Sequence, residues 1–199
     1  MHVELWQITP DAEVFIARCA KVSRGKNETV PLEEARDFVR KLIARGHESV
    51  LEHAYATFYI EGISRVCMAQ ITRHRLASFT VESQRSVRPK KDLVIPASVK
   101  AAQNGSLKEL IEIYLDNAFI VYDNLVVSGV PKEDARYFLP QAVTTSMVVT
   151  ANFREWRHIL KLRTAPEAQW EIRELCAAIG KALVERAPSV FEDVMKEAK

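Results

Sequence analysis

Between Arg136 and Arg154 the chain carries no charge, and the middle of that run, QAVTTSMVVTA, is dominated by β-branched residues. Such a segment packs best as a well-buried strand. Pro140, Gln141, Asn152 and the threonines make the run too polar, and it is slightly too short, to cross a bilayer as a helix. Whatever the chain folds into must therefore bury a strand near residue 147 under its own helices.

The remaining segments supply them. PLEEARDFVRKLIARG, residues 31–46, has acids in its first turn, bases in its last, apolar residues at Leu32, Ala35, Val39, Leu42 and Ile43, and Gly46 as its stop, which predicts a helix. SLKELIEIYLDNAFIVYDNLVVSG predicts a long helix ended by Gly129, and PKEDARYFLP a short one between prolines. NFREWRHILKLR opens with Asn152 and has Glu155 three residues on, the pattern of a capping box. PEAQWEIRELCAAIGKALVERA predicts a further long helix, and SVFEDVMKEA a closing one. Residues 2–8 and AYATFYIEG predict strands, joined by TPDAEVFIARCAKV, a helix with Pro10 at its first position, and by HESVLEH, a polar link. In ISRVCMAQITRHRL the apolar spacing is helical, so that Gln70, Arg73 and His74 fall on a shared face. The expected class is α+β: a small mixed or antiparallel sheet packed with several long helices, in one domain over residues 1–199.

Hydrophobic residues make up 48% of the 199 and charged residues 27%, which excludes disorder. MHVELWQITPDAE has neither a basic region nor a long apolar one, so no secretory signal is read there and the cytoplasm is the expected compartment. Cys19, Cys67 and Cys176 are odd in number and far apart, which supports neither a disulfide framework nor a metal site; they read as buried small hydrophobes. Trp156, Trp170 and Phe191 read as core rather than as stacking platforms.

Against a net charge of only +2, RHRLASFTVESQRSVR, residues 73–88, gathers four arginines and a histidine among three serines and a threonine. Guanidinium forks and hydroxyls are the parts of a phosphate or carboxylate site, with Ser83 beside Arg85 as an added donor. Charge alone equally allows a solvated basic surface, arginines paired with structural carboxylates, or a module that holds nucleotide or RNA phosphates without catalysis.

The order of these residues fits R-H-R, seven residues, S, which resembles the signature of the flavin-dependent thymidylate synthases. Gln84 and Arg85 resemble that family too, as do GHESVLEH, GVPKEDARYFLP, ANFREW, KLRTAPEAQWEI and a closing P-x-x-F. The resemblance implies a homotetramer holding FAD and dUMP at subunit interfaces, with 5,10-methylenetetrahydrofolate as carbon donor and NADPH as reductant. It implies flavin contacts at Ser49, Arg73, His74, Arg75, Val81, Asn152, Arg154 and His158, with His47 near flavin and folate. It places Gln70, Arg73, Ser83, Gln84, Arg85, Arg136 and Arg163 around the nucleotide, with Arg163 as the catalytic group and no covalent enzyme nucleophile. Val81 stands where the family often has Glu or Gln, Ser86 where Tyr commonly follows the motif arginine, and His158 where some relatives carry Asn. Taken singly, Asn152 is also a plain helix cap, Arg163 a dipole-complementing charge, Arg136 a surface charge and His47 a loop residue.

Overall fold

The computed structural model describes residues 1–102 and 105–197. Its strands β1 (His2–Ile8), β2 (Tyr55–Ser64), β3 (Ser78–Val81) and β4 (Thr144–Asn152) form one antiparallel sheet in the order β1-β2-β4-β3. The helices are α1 (Ala12–Val22), α2 (Leu32–Ala44), α3 (Arg65–Ile71), α4 (Ala97–Ala102), α5 (Gly105–Val127), α6 (Lys132–Ala135), α7 (Phe153–Arg163), α8 (Trp170–Arg186) and α9 (Pro188–Glu197). Short 3-10 turns occupy Glu48–His53 and Arg136–Phe138. The expected α+β class is what the chain adopts.

The chain divides into two compact units: Met1–Ile60, Ile71–Thr80 and Val148–Lys199 make the first, and Glu61–Gln70 with Val81–Met147 the second. In the first unit the alternating residues Ala56, Phe58 and Ile60 of β2 are buried, as are Val149 and Ala151 of β4. Period-two burial of this kind seats one face of a sheet on a helical layer. Trp156 of α7 is fully buried there, its Nε1 donating to Ala56 O at 3.0 Å and its ring meeting Phe58 edge-on at 5.3 Å. Phe153 and Phe191 meet in the same way at 5.0 Å. Gly180 lets α8 and α9 touch, because a Cβ there would run into the Met195 side chain. Glu13 of α1 is buried, taking Arg36 Nε at 2.9 Å and Ser189 N at 2.8 Å, which ties α1 to α2 and α9.

In the second unit α5 buries Ala118, Phe119 and Tyr122. Elsewhere α5 leaves Leu110, Ile113, Tyr114 and Ile120 each more than half exposed. Arg88 clasps Asp123 of this helix in a two-pronged pair, 3.0 and 2.6 Å.

Several boundaries depart from expectation. The first helix starts at Ala12, not at Pro10, because Asp11 takes up a left-handed φ of 45° and breaks the run. HESVLEH is a 3-10 turn rather than a polar link, with Leu51 fully buried. Helix α3 is only Arg65–Ile71: Ile63 and Ser64 still belong to β2, and the Ser64 hydroxyl caps Cys67 N at 3.0 Å. Arg73 and His74 therefore lie beyond the helix and share no helical face with Gln70. Helix α8 begins at Trp170, capped by the Gln169 side chain, four residues after Pro166. Helix α4 was not expected, and Ala198 at the end of SVFEDVMKEA lies outside the described residues. Strand β4 is buried on alternate residues only, so it is half covered rather than fully. Cys67 and Cys176 are buried as expected, but Cys19 is only partly so. Trp156 and Phe191 are core; Trp170 is partly exposed.

Candidate functional site

Asn152 ends β4 and begins α7. Its Oδ1 accepts from Glu155 N at 2.8 Å, so the N-cap half of the capping box read from the sequence is formed. The cap fixes where the polar face of α7 starts, and Arg154, Glu155, Arg157, His158 and Lys161 follow along it. Together with Arg73–Leu76, Glu48 and Glu52 of the 3-10 turn, and Asp193 and Val194 of α9, they line a cavity of about 780 Å³ inside the first unit.

Two of the arginines on its wall are spent on carboxylates. Arg157, almost fully buried, grips Asp193 with both prongs at 2.6 and 2.7 Å, reaches Glu48 at 3.4 Å and donates to Val190 O. Arg154 pairs with Glu52. Arg73, Arg75 and Lys161, by contrast, form no ion pair among the described residues. A roomy cavity with unpaired cations on its wall suits an anionic ligand.

His74 sits at the back of the cavity, buried. Its Nε2 accepts from Arg163 Nε at 2.9 Å, its Nδ1 lies 3.5 Å from Glu155 Oε1, and its ring meets that of His158 at 5.7 Å. Burial, then Arg163, His158 and Arg73, push its pKa down to about 4. The imidazole is therefore neutral, and its approach to Glu155 is not an ion pair. Burial also raises the Glu155 carboxyl above its ordinary value.

A pH effect on stability follows. The unfolded chain protonates this ring near its ordinary value of about 6.5, so between that pH and about 4 the unfolded state binds more protons than the folded one. Stability from this group is expected to be complete above the window and to fall as the pH drops through it. Denaturant unfolding of the wild-type chain and of His74→Gln at several pH values checks this: the variant should show the shallower slope, and equal slopes would refute the assignment.

Six of the expected flavin contacts, Arg73, His74, Arg75, Asn152, Arg154 and His158, meet on this one cavity. His47 and Ser49 lie at the 3-10 turn of the same unit, exposed and not on the cavity wall. Val81 belongs to the second unit. Among the expected nucleotide contacts, Arg73 and Arg163 are in the first unit, and Gln70, Ser83, Gln84, Arg85 and Arg136 in the second. Within that second unit, Glu133 joins two of them: its carboxylate takes Arg85 Nε at 2.6 Å and its carbonyl takes Arg136 Nε at 3.1 Å. Ser83 opens a turn, its carbonyl accepting from Ser86 N and Val87 N, and its hydroxyl from Arg85 N at 3.3 Å. Gln84 is buried with no partner for its Nε2.

Sequence reasoning passed over Glu155, Arg157 and Arg65. Arg65 has its Nη1 buried without a partner and its pKa lowered by burial and by Arg136. Arg157 reads in the sequence as one more charge of an amphipathic helix, and only the fold buries it.

Residues 4–189 match the family model described as thymidylate synthase complementing protein. The chain belongs to this family. It is 39% identical over 202 residues to the flavin-dependent thymidylate synthase of Geobacter sulfurreducens, covering 97% of this chain and 86% of that protein. It is 38% identical over 200 residues to the protein of the same name from Sulfurisphaera tokodaii, covering 98% of this chain and 77% of that one. For that of Saccharolobus solfataricus the identity is 39% over 198 residues, with 96% and 76% covered. The family match takes in both units, including the R-H-R segment, α7 and all of α8. No helix among the described residues is long and apolar enough to cross a membrane.

Proposed function

We infer that the chain is a flavin-dependent thymidylate synthase, acting over residues 1–199 as one functional domain and converting dUMP to dTMP in the cytoplasm. The observation that carries this reading is the meeting of Arg73, His74, Arg75, Asn152, Arg154 and His158 on one cavity whose unpaired cations suit a diphosphate. FAD fits that donor set. Arg73, Arg75 and Lys161 would hold its phosphates, while His74 and His158 would bound the ring system. When bound, the flavin supplies the hydride that turns a methylene unit into a methyl group.

The protein's own part is position and charge. Ser83 to Arg85 and Arg136 would hold the nucleotide phosphate, with Glu133 keeping two of the guanidinium groups in place. Arg163, facing the pyrimidine, would stabilise negative charge gathering at N3 and O2 and so make C5 nucleophilic toward the methylene carbon of 5,10-methylenetetrahydrofolate. NADPH would be the ultimate reductant. Two of the three cysteines are poorly placed to attack the ring, since Cys67 is buried and burial pushes the Cys176 thiol up to about 12. The exposed apolar residues of α5 support burial of that face against another copy, since such a face is poorly left in water; four copies with shared sites is what the family resemblance adds.

The test is flavin content. The purified protein is expected to show an oxidised-flavin spectrum, lost or weakened in Arg73→Ala and in Asn152→Ala. The second variant also gives up a helix cap, a cost of about 1 kcal/mol, so its folding is checked alongside. A folded, colourless protein that takes up no added FAD would reject the reading.

A further inference from the structure

We propose that Glu155 positions the guanidinium of Arg163 through His74, the three side chains acting as a carboxylate–imidazole–guanidinium relay. Arg163 Nε donates to His74 Nε2 at 2.9 Å, and Glu155 Oε1 lies 3.5 Å from His74 Nδ1. The first contact fixes the tautomer. A ring nitrogen that accepts from arginine carries no proton, so the neutral ring holds its proton on Nδ1, on the side of Glu155. A carboxyl oxygen stands 3.5 Å away on that side, too far for a formed hydrogen bond but placed to accept this proton on a small approach. Without it the ring is free to take the other tautomer, whose Nε2–H would point at the Nε–H of Arg163 and push the guanidinium away.

The parts are held rigidly. Glu155 and His74 have side chains only 7% and 4% exposed. Glu155 N is tied to the Asn152 cap in the first turn of α7, and Arg163 closes the same helix, so one element carries both ends of the relay. The other charged or titratable groups facing the imidazole are His158 from α7 and Arg73 from the segment that carries His74. Neither is a carboxylate, which among the described residues leaves Glu155 as the charged group that can favour the Nδ1 tautomer.

Glu155 is thus a positioning residue, and the inference rests on the reading of Arg163 as the group facing the pyrimidine. Nitrogen NMR of histidine-labelled protein near neutral pH is expected to find His74 protonated on Nδ1 and bare on Nε2. In Glu155→Ala the Nε2-protonated form should grow and the Arg163 Nε–H resonance should move. Losing the carboxylate behind a histidine that ligates a metal typically costs about 10- to 100-fold in affinity or activity, and the lower end of that scale applies to a histidine that orients an arginine. The expected loss in Glu155→Ala is of that size in kcat, with flavin content and the KM for dUMP little changed. Glu155→Gln, which still offers an oxygen to Nδ1–H, should recover part of it and serves alone if the alanine variant does not fold. A wild-type His74 protonated on Nε2, or variants with an unaltered His74 spectrum and wild-type kcat, would overturn the relay. A wild-type protein that forms no thymidylate would count against the functional reading, and the tautomer and the Arg163 resonance would then decide the relay by themselves.

Discussion

Replacing Arg163 by alanine is expected to lower thymidylate formation by about 100-fold or more while sparing reduction of the flavin by NADPH. Uracil is a poor nucleophile while its ring stays neutral, so a preorganised cation at the pyrimidine edge contributes chiefly in the transition state. Arg163 is well prepared for that role. It closes α7, is half-buried, and has its Nε fixed by His74, so little reorganisation is needed when charge develops. Arg163→Lys keeps the charge but loses the planar fork, and should fall between wild type and alanine. The half-reactions are measured separately, by flavin bleaching and by product formation in a single turnover. An equal loss in both would assign Arg163 to the fold rather than to the chemistry.

The segments whose structure follows from local chemistry were legible in the sequence. Helix α2 has its charges, its apolar stripe and its Gly46 stop in register, and Asn152 with Glu155 marked the start of α7 to the residue. Where two local signals competed, legibility failed. Ile63, Val66, Cys67 and Ile71 are spaced as in a helix, yet Ile63 still belongs to β2, out of step with the buried Ala56, Phe58 and Ile60, and the Ser64 hydroxyl starts the helix later. Asp11 defeats the proline signal by adopting a backbone angle that asparagine-like side chains tolerate.

The site divides along the same line. Arg73, His74, Arg75, Asn152, Arg154 and His158, which share one cavity, were grouped in advance because their order along the chain matches a family pattern, not because any period brings residue 74 to residue 158. Glu155 and Arg157 escaped because each looks like one more charge on an amphipathic helix. Only the tertiary arrangement buries one beside His74 and closes the other on Asp193. A buried arginine held by carboxylates is costly to leave half-paired, which makes Arg157 a structural wall of the cavity, whereas Arg73 and Arg75, which form no ion pair among the described residues, are the cations left to face a ligand.

The central claim is that this chain makes thymidylate with flavin as the carrier of reducing equivalents. A methylene carbon becomes a methyl group only by gaining a hydride, and on this reading that hydride comes from reduced flavin rather than from the tetrahydrofolate ring. The decisive measurement is product formation from dUMP with FAD, NADPH and 5,10-methylenetetrahydrofolate, repeated with each withheld in turn, FAD being withheld after the protein has been stripped of flavin. Thymidylate should form with the complete set, with one NADPH consumed per product, and should be abolished by any single omission. Product formed by flavin-free protein, or none formed by folded, flavin-loaded protein with every component present, would contradict the account.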